Sequence, residues 1–265
     1  MTILFYDLVG HDTQRPFSPH CWKTKMALAH KGLDATKVPT RFLDVPKVEG
    51  GVSKTVPVIR DGDRVVADSF AIALYLDEAY PERPTLFSGE GGKAMARFIE
   101  RWSQLTIHPY VATVALTDLN GMQDEANAAY FRGSREERYG KRLEDVVANR
   151  DAGLAGFRAS LEPLRSMLGY QPFIGGSSPL FADYIVFGAL QWARVASPYR
   201  MLEAGDSVAQ WFERCLDLHG GIGRQVAAAA RRDDVARPRA AGSSCCAMRC
   251  RPRSGSIPAR AAGTS

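Results

Sequence analysis

Strand signals confined to the first third of this sequence, with only helical signals after them, predict an α/β N-terminal domain followed by an all-α C-terminal bundle. Two observations carry the division. A β-α-β pattern and then a β-β-α pattern fill residues 1–84, and the apolar residues beyond residue 84 recur only at helical spacing. A third observation bounds the chain: residues 237–265 are Arg, Ala, Ser, Gly and Pro with almost no large apolar side chains. Such a segment cannot offset the entropy of ordering, so residues 231–265 are expected to form a disordered basic tail.

The elements follow in order. Ile3-Leu4-Phe5-Tyr6 is a short run of strand formers bounded by Asp7 and Gly10. Ser18-Pro19 starts a helix, with Ser as N-cap and Pro at the first helical position. That helix should run to His30-Lys31, with Gly32 just past its end. A second strand is expected near residues 35–38. Val56–Arg60 and Arg64–Ala67 flank Asp61-Gly62-Asp63 as a hairpin. Asp68-Ser69 caps a helix whose apolar face is Ile72, Leu76 and Ala79, and Tyr80–Pro84 reads as a linker. This is the element order of a thioredoxin-like domain.

Beyond the linker, residues 92–119 are helical in pattern, with a kink expected at Pro109. Leu154, Phe157, Leu161, Leu164 and Leu168 keep helical spacing, with a bend expected at Pro163. Residues 181–196 are strongly apolar and should form the centre of the bundle, and residues 207–218 one more helix. The all-helical domain is therefore placed at residues 85–230.

Composition narrows the function classes. The formal charge of +5 looks suited to nucleic acid, but residues 231–265 hold eight Arg against two Asp and carry +6, leaving −1 on residues 1–230. No basic stripe interleaved with aromatics occurs there, so no nucleic-acid partner is expected. No run approaches the roughly 18 apolar residues of a membrane span, and the first residues lack a basic segment and a cleavage site. Neither a membrane location nor a secretory signal is expected. Cys21 and Cys215 are distant from each other, and Cys245, Cys246 and Cys250 lie in the tail without a following His. No disulfide framework and no metal site is expected, which fits a reducing compartment.

Three places carry chemistry. Val56-Pro57 stands before the hairpin, where thioredoxin-like domains hold a cis proline. There the preceding residue turns its N–H and C=O toward a cysteinyl peptide backbone. Asp68-Ser69 caps a helix, and a helix N-terminus with a free hydroxyl suits the α-carboxylate of a γ-glutamyl group, with Asp68 pairing its amine. Ser18 caps the first helix. A bare cap explains it, but its hydroxyl and the helix N-terminus can also stabilise a bound thiolate, raising the fraction of nucleophile at neutral pH.

Ser18-Pro19-His20-Cys21, Val56-Pro57 and Asp68-Ser69 together resemble the glutathione site of glutathione transferases. Trp22-Lys23-Thr24-Lys25, His30-Lys31-Gly32, residues 76–81, Ser134-Arg135-Glu136, residues 142–146 and Phe181-Ala182-Asp183-Tyr184 are similar to bacterial glutathione-dependent β-aryl etherases and fungal Ser-type transferases. The similarity spans residues 1–224. It implies a cytoplasmic homodimer that uses glutathione as co-substrate against a small aromatic electrophile, such as a β-aryl ether. Ser18 would be catalytic. Lys54, Val56, Pro57, Asp68 and Ser69 would hold glutathione. Among His108, Tyr110, Tyr130, Phe131 and Trp192, the acceptor contacts are assigned to His108 and Tyr110, and either His20 or His108 could protonate an aryloxide leaving group.

Three departures qualify the resemblance. The position three before the buried Asp183, usually Ser, Thr or Asn in that family, is Leu180, so Asp183 needs another partner, such as a backbone N–H. Cys21 occupies the second-cysteine position of a C-P-x-C motif whose first position is Ser18, which closes a dithiol mechanism but leaves one-cysteine glutathionylation chemistry open. The similarity also stops near Arg224. The alternatives are a non-catalytic glutathione-binding protein of the same fold and a Cys21-based deglutathionylating enzyme.

Overall fold

The computed structural model describes residues 2–230, which belong to one compact unit. The expected tail, with Cys245, Cys246 and Cys250, lies outside the described residues. Strands β1 (Ile3–Leu8), β2 (Ala35–Thr40), β3 (Val58–Asp61) and β4 (Arg64–Ala67) form one sheet in the order β2-β1-β3-β4. β1 and β2 are parallel; β1–β3 and β3–β4 are antiparallel. Helix α1 (Pro19–His30) makes the crossover between the parallel pair, and α2 (Ser69–Ala79) follows β4. Ile72 and Leu76 of α2 are fully buried as expected, whereas Ala79 is exposed and Phe70 and Ala73 complete the buried face.

Strand directions place the loops that matter. Tyr6, near the C-terminal end of β1, pairs with Val58 at the start of β3, and Val58 pairs with Ala67 at the end of β4. The chain leaving β1, the residues before β3 and the residues after β4 therefore meet at one end of the sheet. This end carries the N-termini of both α1 and α2.

After β4 every further element among the described residues is helical: α3 (Glu90–Gly121), α4 (Glu125–Tyr139), α5 (Leu143–Val147), α6 (Arg150–Ser160), α7 (Glu162–Leu168), α8 (Phe181–Ala196) and α9 (Ser207–Gln225). α3 is one continuous helix with Pro109 inside it. The bend expected at Pro163 falls instead at Leu161, and Pro163 sits in the first turn of α7, where its missing N–H costs no helical bond. α9 extends past the expected residue 218 through a non-helical run from Leu218 to Gly221.

α8 is the centre of the molecule. Fourteen of its 16 residues are buried, which is why its sequence lacks a polar face. It packs against α3 on one side and α1 on the other. The approach to α1 is close because residue 188 is glycine: a Cβ there would lie 2.4 Å from the Pro19 carbonyl oxygen. Gly188→Ala should therefore push the first turn of α1 off α8 at a cost of about 1–3 kcal/mol, read as a lower melting temperature together with weaker glutathione binding.

A histidine–tyrosine chain ties four segments together. His30 Nε2 lies 3.0 Å from the Thr85 carbonyl, Tyr184 OH 2.7 Å from His30 Nδ1, and His219 Nε2 2.9 Å from Tyr184 OH. A carbonyl only accepts, so His30 donates through Nε2 and a neutral ring accepts the Tyr184 hydroxyl at Nδ1. Tyr184 then accepts from His219 Nε2–H. The chain needs the His30 imidazole neutral, because Nδ1 accepts, whereas His219 only donates. Burial lowers His30, and burial with the neighbouring His30 lowers His219 to about 4. Folded pKa values below the ordinary His value near 6.5 mean that the unfolded chain binds more protons, so this stability is complete above that value and is lost as pH falls. The melting temperature should drop between pH 7 and pH 5, and His219→Gln should flatten that drop.

Candidate glutathione site

The first turn of α1 is built on β1. Ser18 is its N-cap, buried, with φ −61° and ψ 125°, and its Oγ accepts the Cys21 N–H at 3.2 Å. The cap uses an acceptor lone pair and leaves the hydroxyl hydrogen free to donate. Cys21 Sγ accepts the Leu8 N–H at 3.5 Å and lies 3.9 Å from the Tyr6 carbonyl, fixing this turn to the end of β1. Trp22 Nε1 donates to the Pro16 carbonyl at 3.0 Å, closing the loop before Ser18. Farther back, His11 N–H donates to the Met122 carbonyl at 2.9 Å, and a Cβ on Gly10 would stand 2.1 Å from that oxygen. The loop is thus pressed onto the end of α3.

Opposite lies the second half of the site. The Val56–Pro57 peptide is cis, with both residues buried. The Pro57 carbonyl accepts the Asp68 N–H at 3.3 Å, which joins the proline loop to the start of α2. Asp68 caps α2 through Oδ1, accepting from Phe70 N at 2.9 Å and Ala71 N at 3.0 Å. Its φ of +78° is a left-handed value unusual outside glycine. Ser69 is buried, and its Oγ has no hydrogen-bond partner. A buried hydroxyl without a partner is costly in a folded chain, and this one keeps its hydrogen-bonding capacity at the N-terminus of α2. Lys54 is exposed on the loop before Val56.

The structure thus gathers Ser18, Val56, Pro57, Asp68 and Ser69 at one end of the sheet. It does not bring His108 and Tyr110 together. His108 faces the first turn of α1: its ring centroid is 5.3 Å from that of His20 and 5.9 Å from that of Trp192. Two residues along the same helix, Tyr110 points elsewhere, stacked on Phe157 at 4.4 Å with its hydroxyl donating to the Arg150 carbonyl at 2.8 Å. It lines a separate groove of about 460 Å³ between α3 and α6. Tyr130 is exposed, and Phe131 is buried against Phe42. A cleft of about 950 Å³ is lined by Asp7, Lys25, Ala35 and His219 between β1, β2, α1 and α9, and Ser18 is not in its wall.

Several charged contacts were not legible in the sequence. Lys23 is fully buried and pairs with Glu100 at 3.0 Å, and Lys25 pairs with buried Asp7 at 2.7 Å. Lys31, also buried, meets Asp77 and the Tyr80 carbonyl, each at 2.9 Å. Lysines on a short helix read as a solvated face, and only the helices packed around α1 bury them. Asp183 has found its partners: its carboxylate accepts from Ile174 N, Gly175 N, Leu180 N and Trp211 Nε1 at 2.8–3.0 Å.

Cys21 is fully buried. Burial, then the nearby Asp7 carboxylate, push its thiol up to about 12. A nucleophilic thiolate needs the opposite environment. Alkylation of the native protein with iodoacetamide, followed by peptide mapping, should leave Cys21 unmodified, and Cys21→Ala should keep glutathione-dependent activity.

Two family profiles match this arrangement. The one described as Glutathione S-transferase, N-terminal domain covers residues 17–79, and Glutathione S-transferase, C-terminal domain covers residues 94–218. The chain belongs to the glutathione S-transferase superfamily. Its sheet and helical layers match those of solved transferases. One is the glutathione S-transferase CsGST63524 of Ceriporiopsis subvermispora in complex with glutathione, at 25% identity and a TM-score of 0.68 over 85% of this chain and 95% of that one. Glutathione transferase GSTFuA3 from Phanerochaete chrysosporium aligns at 28% identity and a TM-score of 0.62, over 83% and 92%. The Glutathione S-transferase-like protein ustS of Aspergillus flavus is 28% identical over 220 residues, 72% of this chain and 78% of its own length. The family profiles enclose Ser18, the proline loop and the α2 cap of this transferase-family chain, and its His20–His108 pair as well.

Proposed function

We propose that the protein is a glutathione transferase in which Ser18 stabilises the glutathione thiolate for attack on an aromatic electrophile, a β-aryl ether being the finer candidate. The observation that carries the reading is the buried, unpartnered Ser69 Oγ at the N-terminus of α2, at the same end of the sheet as the Ser18 cap. Residues 1–84 bind glutathione. Val56 pairs the cysteinyl backbone, Ser69 and the α2 N-terminus take the γ-glutamyl carboxylate, Asp68 pairs the amine through its uncommitted Oδ2, and Lys54 meets the glycyl carboxylate. The thiolate forms a bond to carbon as the aryloxy group leaves, giving a thioether and a phenol. Residues 85–230 supply the acceptor side through His108. The burial of Cys21 argues against the deglutathionylating alternative.

Among the described residues no helix is long and apolar enough to cross a membrane, and Cys21 and Cys215 are free thiols; a cytoplasmic location fits both. A homodimer through α3 is supported by the exposed apolar residues Met95, Phe98 and Leu105, which share one helical face. The test is calorimetric titration with glutathione on the wild type and Ser69→Ala, then a panel of β-aryl ethers and halonitroarenes. Binding weakened by the substitution, with turnover of an aryl acceptor, supports the reading. No glutathione binding overturns it, and binding without turnover of any acceptor favours a ligand-binding protein.

A further inference from the structure

We propose that the cleft between β1, β2, α1 and α9 is a second small-molecule site, one that takes a neutral, mainly aliphatic ligand with a hydroxyl donor for Asp7. The inference is independent of the transferase reading: none of Ser18, Val56, Pro57, Asp68 and Ser69 is in the cleft wall. At about 950 Å³ the cleft has the size of a small-molecule pocket. Phe5 and Asp7 of β1, and Val9 just after it, stand at alternate positions and line the cleft together. Phe5 and Val9 suit the buried face of a strand, and a carboxylate between them does not. Asp7 is nevertheless only 3% exposed. Lys25 of α1, also in the wall, meets its Oδ2 at 2.7 Å and lies over the Trp22 ring at 4.2 Å. Asp7 Oδ1 has no hydrogen-bond partner among the described residues. The other buried aspartate, Asp183, has both oxygens filled by four donors. Of the two, Asp7 alone keeps an unused acceptor, and it is the one that lines a cavity.

The wall chooses the ligand. A carboxylate oxygen only accepts, so the ligand has to donate. Lys25 already meets the carboxylate charge. An ammonium brought to Oδ1 would stand close to the Lys25 ammonium in a poorly hydrated place, where like charges repel strongly. A hydroxyl donates without adding charge. The remaining wall agrees. Its four charged side chains, Asp7, Lys25, Asp34 and Lys37, are two of each sign. His219, lowered by burial and by its neighbour His30 to about 4, is neutral at pH 7. No net charge is left to hold an ion. The apolar contacts come from Leu28, Leu33, Ile222 and Val226, all aliphatic, while the Phe5 ring is 1% exposed. The cleft thus offers little ring surface for stacking and favours an alicyclic or aliphatic body over a flat aromatic one.

The test is calorimetric titration of the full chain with decahydro-2-naphthol, its methyl ether and the corresponding amine, which share one alicyclic body. The alcohol should bind about 10- to 100-fold tighter than the ether, the range for one hydrogen bond to a charged acceptor, and tighter than the amine. Saturating S-hexylglutathione should leave the alcohol's affinity unchanged, because the two sites are separate. Val226→Trp, which fills the cleft from the end of α9, should abolish alcohol binding and leave glutathione binding at the wild-type level. In Asp7→Asn, Lys25 holds the amide oxygen and an N–H₂ group takes the place of Oδ1. Alcohol and ether oxygens both accept from that group, so the preference for the alcohol should disappear. If this variant does not fold, the wild-type comparison of alcohol with ether decides. No alcohol binding, equal affinity for alcohol and ether, tighter binding of the amine, displacement of the alcohol by S-hexylglutathione, or wild-type alcohol affinity in Val226→Trp overturns the inference and leaves the transferase reading standing. Failure to bind glutathione, with the alcohol still bound, overturns that reading alone.

Discussion

Ser18→Ala should lower turnover about 10- to 150-fold, the equivalent of one hydrogen bond to a charged group worth about 1.5–3 kcal/mol. The geometry says why the loss is confined to the side chain. Ser18 Oγ accepts the Cys21 N–H and retains its own hydrogen for a thiolate. Alanine removes that donor and leaves the backbone N–H groups of the α1 N-terminus and their positive end in place. The lost cap should cost about 1 kcal/mol of stability, small enough for the protein to remain folded. Ultraviolet absorbance of bound glutathione from about pH 5 to 9 follows the thiolate directly. It should show the thiol titrating higher in the variant. An unchanged titration would reduce Ser18 to a cap and assign thiolate stabilisation to the backbone.

The largest effect on stability is expected at Asp183. Its side chain is buried, Oδ1 accepts from Ile174 N and Trp211 Nε1, and Oδ2 accepts from Gly175 N and Leu180 N. Burial pushes the carboxyl up while the four donors pull it down. Asp183→Asn keeps the shape but turns one oxygen into an N–H₂ group facing two N–H donors. Two orphaned donors at about 1–3 kcal/mol each, with like dipoles opposed, should cost roughly 3–6 kcal/mol. For a chain of this size that is a fall of roughly 10–20 °C in melting temperature. Circular dichroism reads the global loss, and tryptophan fluorescence reads the release of Trp211. A fall under about 3 °C would show that water or a shifted loop replaces the carboxylate at little cost.

Asp183 also marks how far local pattern reaches. The sequence placed a buried Asp in the first turn of an apolar helix and noted that Leu180 cannot serve as a side-chain cap. The answer came from backbone N–H groups, one on Leu180 itself and two on the loop at residues 174–175, and from Trp211 on α9. Pattern located the demand; the partners on the loop and α9 needed the fold. The contrast between Ile72 and Ala79 on α2 has the same origin. Periodicity assigned both to one face, but Ala79 is the last residue of α2 and is exposed.

What the sequence determined by itself was local. The Ser18-Pro19 start of α1, the Asp68-Ser69 start of α2, the hairpin between β3 and β4 and the core helix α8 all follow from caps, turn residues and apolar spacing within a few residues of each other. Those signals were enough to name the fold and to mark Ser18, Val56, Pro57, Asp68 and Ser69. Only the tertiary structure decided what faces what. His20 and His108 are 88 residues apart in sequence and adjacent in space. Tyr110, two residues from His108, is turned to a different groove by the pitch of α3. Lys23, Lys25 and Lys31 are buried because α1 is enclosed by the sheet, α2, α8 and α9, and each is matched by a carboxylate from another element. A helix or a cap is specified by dihedrals and neighbours that the local sequence sets. Burial, charge state and the company of a side chain are set by whatever else the chain packs there.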